Sequence, residues 1–349
     1  VDFQLSDDQR ALRSGMRDLL GAVFDRDRLR AAVERGGALD RSLWRELGAA
    51  GFFALRLPEE AGGVGLGLPE AVLLFEEAGR ALLPGPLVAT HLAAGLVKGA
   101  AEGEAVVTAV AGDLPVAHLA EADAVLVVGA EPPAGEATGA ESLTGEALRA
   151  FVAAARPVRS MDPLTPLHSA RAVAERAPAA TERTPAHAGR FRFEAALLTA
   201  AEQLGSAART TEAAVQHAGS REQFGSPVGA FQAVKHLCAD MLARTEPARA
   251  AVYAAAVTGD PVEIAAAKLL ADEAAVRNAR DCLQIHGGMG FTWEADVHLH
   301  LKRAWLRAAS WLTGAGTEEL LAADLGAAGR LPRSSAAPGR PVREAGGGG

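Results

Sequence analysis

Gly314-Ala315-Gly316-Thr317, followed directly by Glu318 and Glu319, is where small residues could bring this chain's backbone against a flat or charged molecule. It reads as a phosphate cradle, an active-site wall or a hinge. A second set lies in 220–241, where Arg221, Gln223 and Phe224 sit in a glycine-bracketed loop and Gln232 opens the next helix. A guanidinium can bridge two phosphate oxygens and an aromatic ring can stack on a base, so this loop suits a diphosphate and an adenine. It reads equally as a bundle loop whose Phe plugs the core. A third set, Gln284 with Gly287-Gly288, would let a helix end approach a phosphate or another molecule's backbone, or is simply a helix cap.

Two other patterns carry less. Glu294, Asp296, His298 and His300 crowd into 293–300 and suggest a metal, but helical residues two apart do not share a face. The paired Glu-x-x-His repeats of a di-iron bundle are absent, so the segment reads as a solvated or interface histidine pair with no metal. The glycine loop 62–67 lacks the spacing and the preceding strand of a dinucleotide fingerprint, and no GxxxxGK[ST] occurs.

The totals exclude several classes. A net charge of −8 provides no basic stripe for nucleic-acid phosphates. Cys238 and Cys282 are the only cysteines, and both fall in helical patterns; they read as small buried side chains in a reducing compartment. Asp2, Asp7 and Asp8 stand where a signal peptide would be basic and then apolar. No apolar run reaches the ~18 residues of a membrane span. A cytoplasmic, soluble protein is expected, with neither nucleic acid nor membrane as partner.

The elements that must hold these groups are mostly helices. Ser6 to Gln9 is a capping box, and Leu12, Met16, Leu19, Leu20 and Val23 then follow one helical face. A second helix carries Leu43, Trp44 and Leu47, a third runs from Pro69 through Leu82, and a short apolar one reaches about Lys98. Segments 105–112 and 122–130 are short β-rich runs. Helical periodicity returns over 194–217, from Ala230 to a kink or split at Pro247, from Asp260 to His286, around 301–312, and after Thr317 as N-cap. The expectation is a mainly α chain with a small β domain: a helical domain over 1–99, a reduced β domain over 100–190, a C-terminal four-helix bundle over 191–328 and a disordered tail over 329–349.

In order and spacing, segments 43–90 ("LWRELGAAGFFALRLPEEAGGVGLGLPEAVLLFEEAGRALLPGPLVAT"), 201–241 ("AEQLGSAARTTEAAVQHAGSREQFGSPVGAFQAVKHLCADM") and 283–304 ("LQIHGGMGFTWEADVHLHLKRA") resemble the acyl-CoA dehydrogenase family. The resemblance covers nearly the whole chain to about Leu325. It implies the same three-part fold, usually tetrameric, with FAD between subunits, an acyl-CoA substrate and electron-transfer flavoprotein as acceptor. By that resemblance Arg221, Gln223, Phe224 and Gln232 hold the diphosphate and adenosine end of FAD. Gln284, Gly287 and Gly288 reach the FAD of a neighbouring subunit, and Thr317 contacts flavin from the turn.

The resemblance also marks what is missing. The family's turn often reads Glu-Gly-Thr, and its Glu removes the acyl α-proton; here Ala315 stands at that position. The backbone N–H of Ala315 can still polarise a thioester carbonyl, but the proton acceptor is gone. Some members place the base at the start of the first bundle helix, near Ala195, which makes Glu194 the alternative base, against a solvated first-turn Glu. The middle region lacks the family's "TEPGAGSD"-like flavin loop, and Ala327 replaces a late Arg. Such a chain resembles one subunit of the two-component members that act on bulky acyl-CoAs such as steroid side-chain thioesters. The alternatives are a non-catalytic structural or regulatory subunit and a metal-dependent helical bundle.

Overall fold

The computed structural model describes residues 4–112, 114–128, 139–170 and 183–328. The tail expected to be disordered, and parts of the middle region, lie outside the described residues. Five helices open the chain: α1 (Asp7–Val23), α2 (Arg26–Glu34), α3 (Arg41–Ala49), α4 (Leu68–Arg80) and α5 (Leu87–Ala93). The Ser6 capping box closes both ways, with Ser6 Oγ accepting from the Gln9 amide and Gln9 Oε1 from the Ser6 amide. Helix α2 escaped the sequence reading because it is short and strongly polar. Its own signals are Asp25, which accepts from the Arg28 amide, and buried Leu29 and Ala32.

Among the described residues the middle of the chain forms two small sheets. In one, β1 (Val107–Ala111) pairs parallel with β3 (Ala124–Val128), which pairs antiparallel with β4 (Gly139–Leu143) and on to β7 (Arg183–His187). The other is antiparallel, in the order β2 (Val116–Ala117), β6 (Leu167–Ser169), β5 (Arg156–Val158). Helix α6 (Gly145–Ala154) buries Leu148 and Phe151 against the first sheet's Val110, Val125 and Leu143.

The bundle is built on α7 (Ala188–Ser220), α8 (Gln232–Thr258) and α9 (Pro261–His286), with α10 (Val297–Ala308) and α11 (Gly314–Ala328) against α9. Helix α8 runs unbroken through Pro247, so of the kink or split expected there the split does not occur. Thr245 and Ala248 are buried on either side of the proline, so packing holds the two halves in one helix despite the lost backbone hydrogen bond. A single core joins the bundle to the N-terminal helices, including the cluster of Trp44, Phe52, Phe53 and Phe75 with ring centroids 4.7–5.4 Å apart.

Helices α4 and α7 meet through two glycines. A Cβ at Gly205 would lie 1.8 Å from the Glu76 carbonyl oxygen, and one at Gly79 2.0 Å from that of Glu202. Backbone cannot yield as a side-chain tip can. Gly205→Ala should therefore push the helices apart and cost about 3 kcal/mol, the upper end for overpacking. Urea unfolding checks this: the midpoint should fall at unchanged slope.

Candidate functional site

The first bundle end gathers two of the three sets. After α7 the chain makes a two-stranded hairpin, β8 (Glu222–Gln223) with β9 (Ser226–Pro227), and Phe224-Gly225 form its turn. Both have positive φ, +54° and +81°, as a two-residue turn of this hand requires. The Phe224 ring is 94% exposed and meets Phe231 edge-on at 6.2 Å, so it does not plug the core. Arg221 is tied by its backbone, N–H to the His217 carbonyl at 2.8 Å and carbonyl to the Val228 amide at 2.7 Å, while its side chain stands exposed. Gln223 and Gln232 are exposed beside it.

His217 and His286 stack with ring centroids 4.0 Å apart, which brings the end of α9 to this hairpin. Gln284, Gly287 and Gly288 are exposed there, and a Cβ at either glycine would meet open space. Gly287 has φ +61°, ψ −143°, a conformation essentially reserved for glycine. Phe291, 74% exposed, and Trp293, 58% exposed, follow directly. A guanidinium, a bare aromatic face and an open glycine pair therefore share one exposed surface. The two sets share one end of the bundle, where the resemblance had divided them between the chain's own FAD and a neighbour's.

The expected turn lies at the other end. Helix α10 stops at Ala308, and Trp311 turns the chain at φ +64° with its ring 5.8 Å from that of Phe191. Thr313 Oγ1 accepts from the Gly316 amide, so the last helix starts at Gly314 and is capped by Thr313, not Thr317. Ala315 lies in its first turn, exposed, among the amides an α-helix leaves without intrahelical partners. The Thr317 hydroxyl donates to the carbonyls of Gly314 at 2.7 Å and Thr313 at 3.2 Å, and Thr317 is buried.

Glu194 corrects a second expectation. Because α7 begins at Ala188, Glu194 sits in its second turn, not its first, with its side chain only 13% exposed. Arg56 Nη1 donates to it at 2.8 Å and Arg190 Nε at 2.8 Å. Burial would raise its carboxyl, but these two guanidinium groups outweigh burial and hold it below the usual Glu range. It lines a cavity of about 380 Å³ with Phe53, His91 and Phe191. A doubly paired carboxylate is a poor proton acceptor. Glu194 also stands 27 positions before Arg221 on the α7 side, about 40 Å at 1.5 Å per residue, so the chain's candidate groups form two separate surfaces.

The histidine segment is not solvated. His298 and His300 are both buried; the His300 ring meets Ser206 Oγ at 2.8 Å, and His298 lies edge-on to Trp293 at 4.8 Å. Asp296 pairs with Arg26. Among the described residues no three His, Cys, Asp or Glu side chains come together as metal ligands, and no helix is long and apolar enough to cross a membrane. Burial, then the charges of Arg209, Arg307 and Arg303, pushes His300 down to about 3, and burial pushes His91 down to about 4. Both are neutral when folded and must charge on unfolding in acid. Their stabilisation is whole above pH 6.5 and is lost as pH falls towards those values. Below pH 6.5 unfolding free energy should fall with a slope that approaches about 1.4 kcal/mol per pH unit for each. His300→Gln should remove one share of that slope in urea titrations.

Sequence reasoning missed a buried charged group. Arg303 donates to Asp162 and Arg307 to Glu202, all four buried, beside a cavity between α5, the sheets and α10. The legible signal was Arg303 and Arg307, four apart on a helix face otherwise made of Leu299 and Ala304.

Comparison with known proteins gives the architecture its place. Residues 6–102 match the model of the acyl-CoA dehydrogenase N-terminal domain, and 189–329 that of the C-terminal domain. The acyl-CoA dehydrogenase IpdE2 of Mycobacterium tuberculosis is 36% identical over 307 residues, covering 85% of this chain and 91% of that protein. The acyl-CoA dehydrogenase FadE34 of the same organism is 37% identical over 330 residues, 85% of this chain but 46% of its own length. The ChsE4-ChsE5 complex from Mycobacterium tuberculosis shares the fold, with a TM-score of 0.77 over 93% of this chain and 99% of that one at 22% identity. By its two domain matches and its relatives, this chain belongs to the acyl-CoA dehydrogenase family, FAD-dependent oxidoreductases acting on CH–CH bonds of acyl-CoA thioesters.

Proposed function

We propose that the chain is one subunit of a heteromeric acyl-CoA dehydrogenase for bulky thioesters, and that it lacks its own catalytic carboxylate. The observation that carries this reading is Ala315 in the first turn of α11, with the alternative carboxylate, Glu194, bound to Arg56 and Arg190. FAD, when bound, accepts the hydride from the β-carbon. The chain's own contribution at the turn is a set of unpaired first-turn amides, including that of Ala315, that can polarise a thioester oxygen. The proton at the α-carbon must go to a group from another chain. Two further findings support a partner: the matched region is under half of FadE34, leaving length for a second module, and a related fold occurs in a two-component complex.

At the far bundle end Arg221, Gln223, Phe224 and Gln232, with Gln284, Gly287 and Gly288, serve the dinucleotide of the facing subunit. Thr317, where the resemblance places a flavin contact, braces the turn by its intrahelical bonds and keeps its hydroxyl lone pairs as acceptors. Electron-transfer flavoprotein is the acceptor this reading expects. A purely structural subunit is the second reading, favoured by the same missing base. Substrate-dependent bleaching of bound flavin in the assembled protein separates the two. Gly288→Val tests the surface: the added side chain meets open space within the chain, so monomer stability should hold while flavin content and assembly fall. Wild-type mass by light scattering and wild-type absorbance near 450 nm would reduce this glycine pair to a helix cap.

A further inference from the structure

His217, near the end of α7, and His286, the last residue of α9, stack with ring centroids 4.0 Å apart and planes 21° from parallel. Both residues are half-buried. His286 Nδ1 lies 2.8 Å from the Cys282 carbonyl oxygen and so carries its hydrogen, which leaves Nε2 as the basic nitrogen. Beside it, 3.6 Å from Nδ1, is the thiol of Cys282, a fully buried residue. The groups whose charge reaches the His217 ring or this thiol are Arg209 on α7, Arg221 just after it, Cys238 on α8 and Asp281 on α9. The one carboxylate among them, Asp281, is taken by Arg244 of α8. One imidazolium can stack on a neutral imidazole. A second at 4.0 Å meets like charge, with Arg221 close by and no free carboxylate in that set to offset it. Burial, then the charges of His286 and Arg221, already hold His217 below its ordinary value. A lowered folded value means that the stack is whole above about pH 6.5 and is lost as pH falls.

We propose that the His217–His286 stack is an acid-opened clasp, closed while at least one ring is neutral and released when both carry a proton, which frees the end of α9 from the hairpin. Its consequence for a cofactor rests on the dinucleotide reading of this surface, since opening parts Arg221, Gln223 and Phe224 from Gln284, Gly287 and Gly288; the clasp itself does not. The Cys282 thiol reports the opening. The test uses Cys238→Ser protein, purified with whatever flavin and partner it carries, and 4,4′-dithiodipyridine as the thiol reagent. Its rate, normalised at each pH to that of glutathione, should rise about ten-fold or more from about pH 7.5 to about pH 5.5. The far-ultraviolet helix signal should stay constant over that range, which separates the clasp from acid unfolding driven by His91 and His300. His217→Phe keeps a stacked ring without the charge and should give a flat profile at the parent's neutral-pH rate. A flat profile in the parent, a rise only where the helix signal falls, or the same rise in folded His217→Phe would overturn the proposal; should that variant not fold, the parent profile decides. A protein that never holds flavin at this surface would fail the dinucleotide reading and leave the clasp standing.

Discussion

Arg221→Ala protein should purify with a small fraction of the wild-type flavin and an unchanged far-ultraviolet helix signal. The side chain is exposed, and the bonds that shape its loop run through its backbone to His217 and Val228, so truncation has little to unfold. A charge-assisted hydrogen bond to phosphate contributes about 1.5–3 kcal/mol, which converts to roughly a 10- to 150-fold loss of affinity. Arg221→Lys should recover only part of this, because an ammonium lacks the planar fork that bridges two oxygens. Undiminished flavin in the alanine variant would remove the hairpin from the cofactor site.

The second large effect concerns the base. The chain purified alone should dehydrogenate acyl-CoA slowly however well it folds, since losing a positioned general base costs about 10²–10⁴-fold in rate. Ala315→Glu restores a carboxylate at the exposed first turn of α11, where the helix N-terminus favours negative charge and should not harm the fold. A rise in single-turnover bleaching of flavin by acyl-CoA is expected in that variant. Glu194→Gln should leave the rate unchanged. Loss of turnover on that change would make Glu194 the base despite its two arginines.

What the sequence showed was what local pattern can carry. Helix identity followed from apolar periodicity and caps: Ser6 and Asp260 cap helices as their residue types indicated, each accepting from amides two or three positions on. The misreadings arose where tertiary packing decided. Pro247 marks a kink or split locally, and buried neighbours on both sides keep α8 one helix. Thr317 looked like an N-cap, but Thr313, four residues earlier, takes that role and extends the helix through the glycines. Glu194 read as solvated because its partner Arg56 lies 138 positions away, beyond any local pattern. The meeting of the hairpin with the end of α9 hangs on the His217–His286 stack, equally invisible along the chain. The cavity arginines were visible as residues but not as a pair, because their carboxylates come from a middle-region loop and from α7.

The measurement that bears most directly on the missing base is dye reduction by acyl-CoA, comparing this chain alone with this chain co-expressed with a second acyl-CoA dehydrogenase-like chain that carries a Glu at one of the two base positions. The expected result is flavin-dependent turnover in the co-purified pair, lost when the partner's Glu is changed to Gln, and at least 10²-fold less in the lone chain. Rapid turnover by the lone chain, abolished by Glu194→Gln, would contradict the account and make this protein a self-sufficient dehydrogenase.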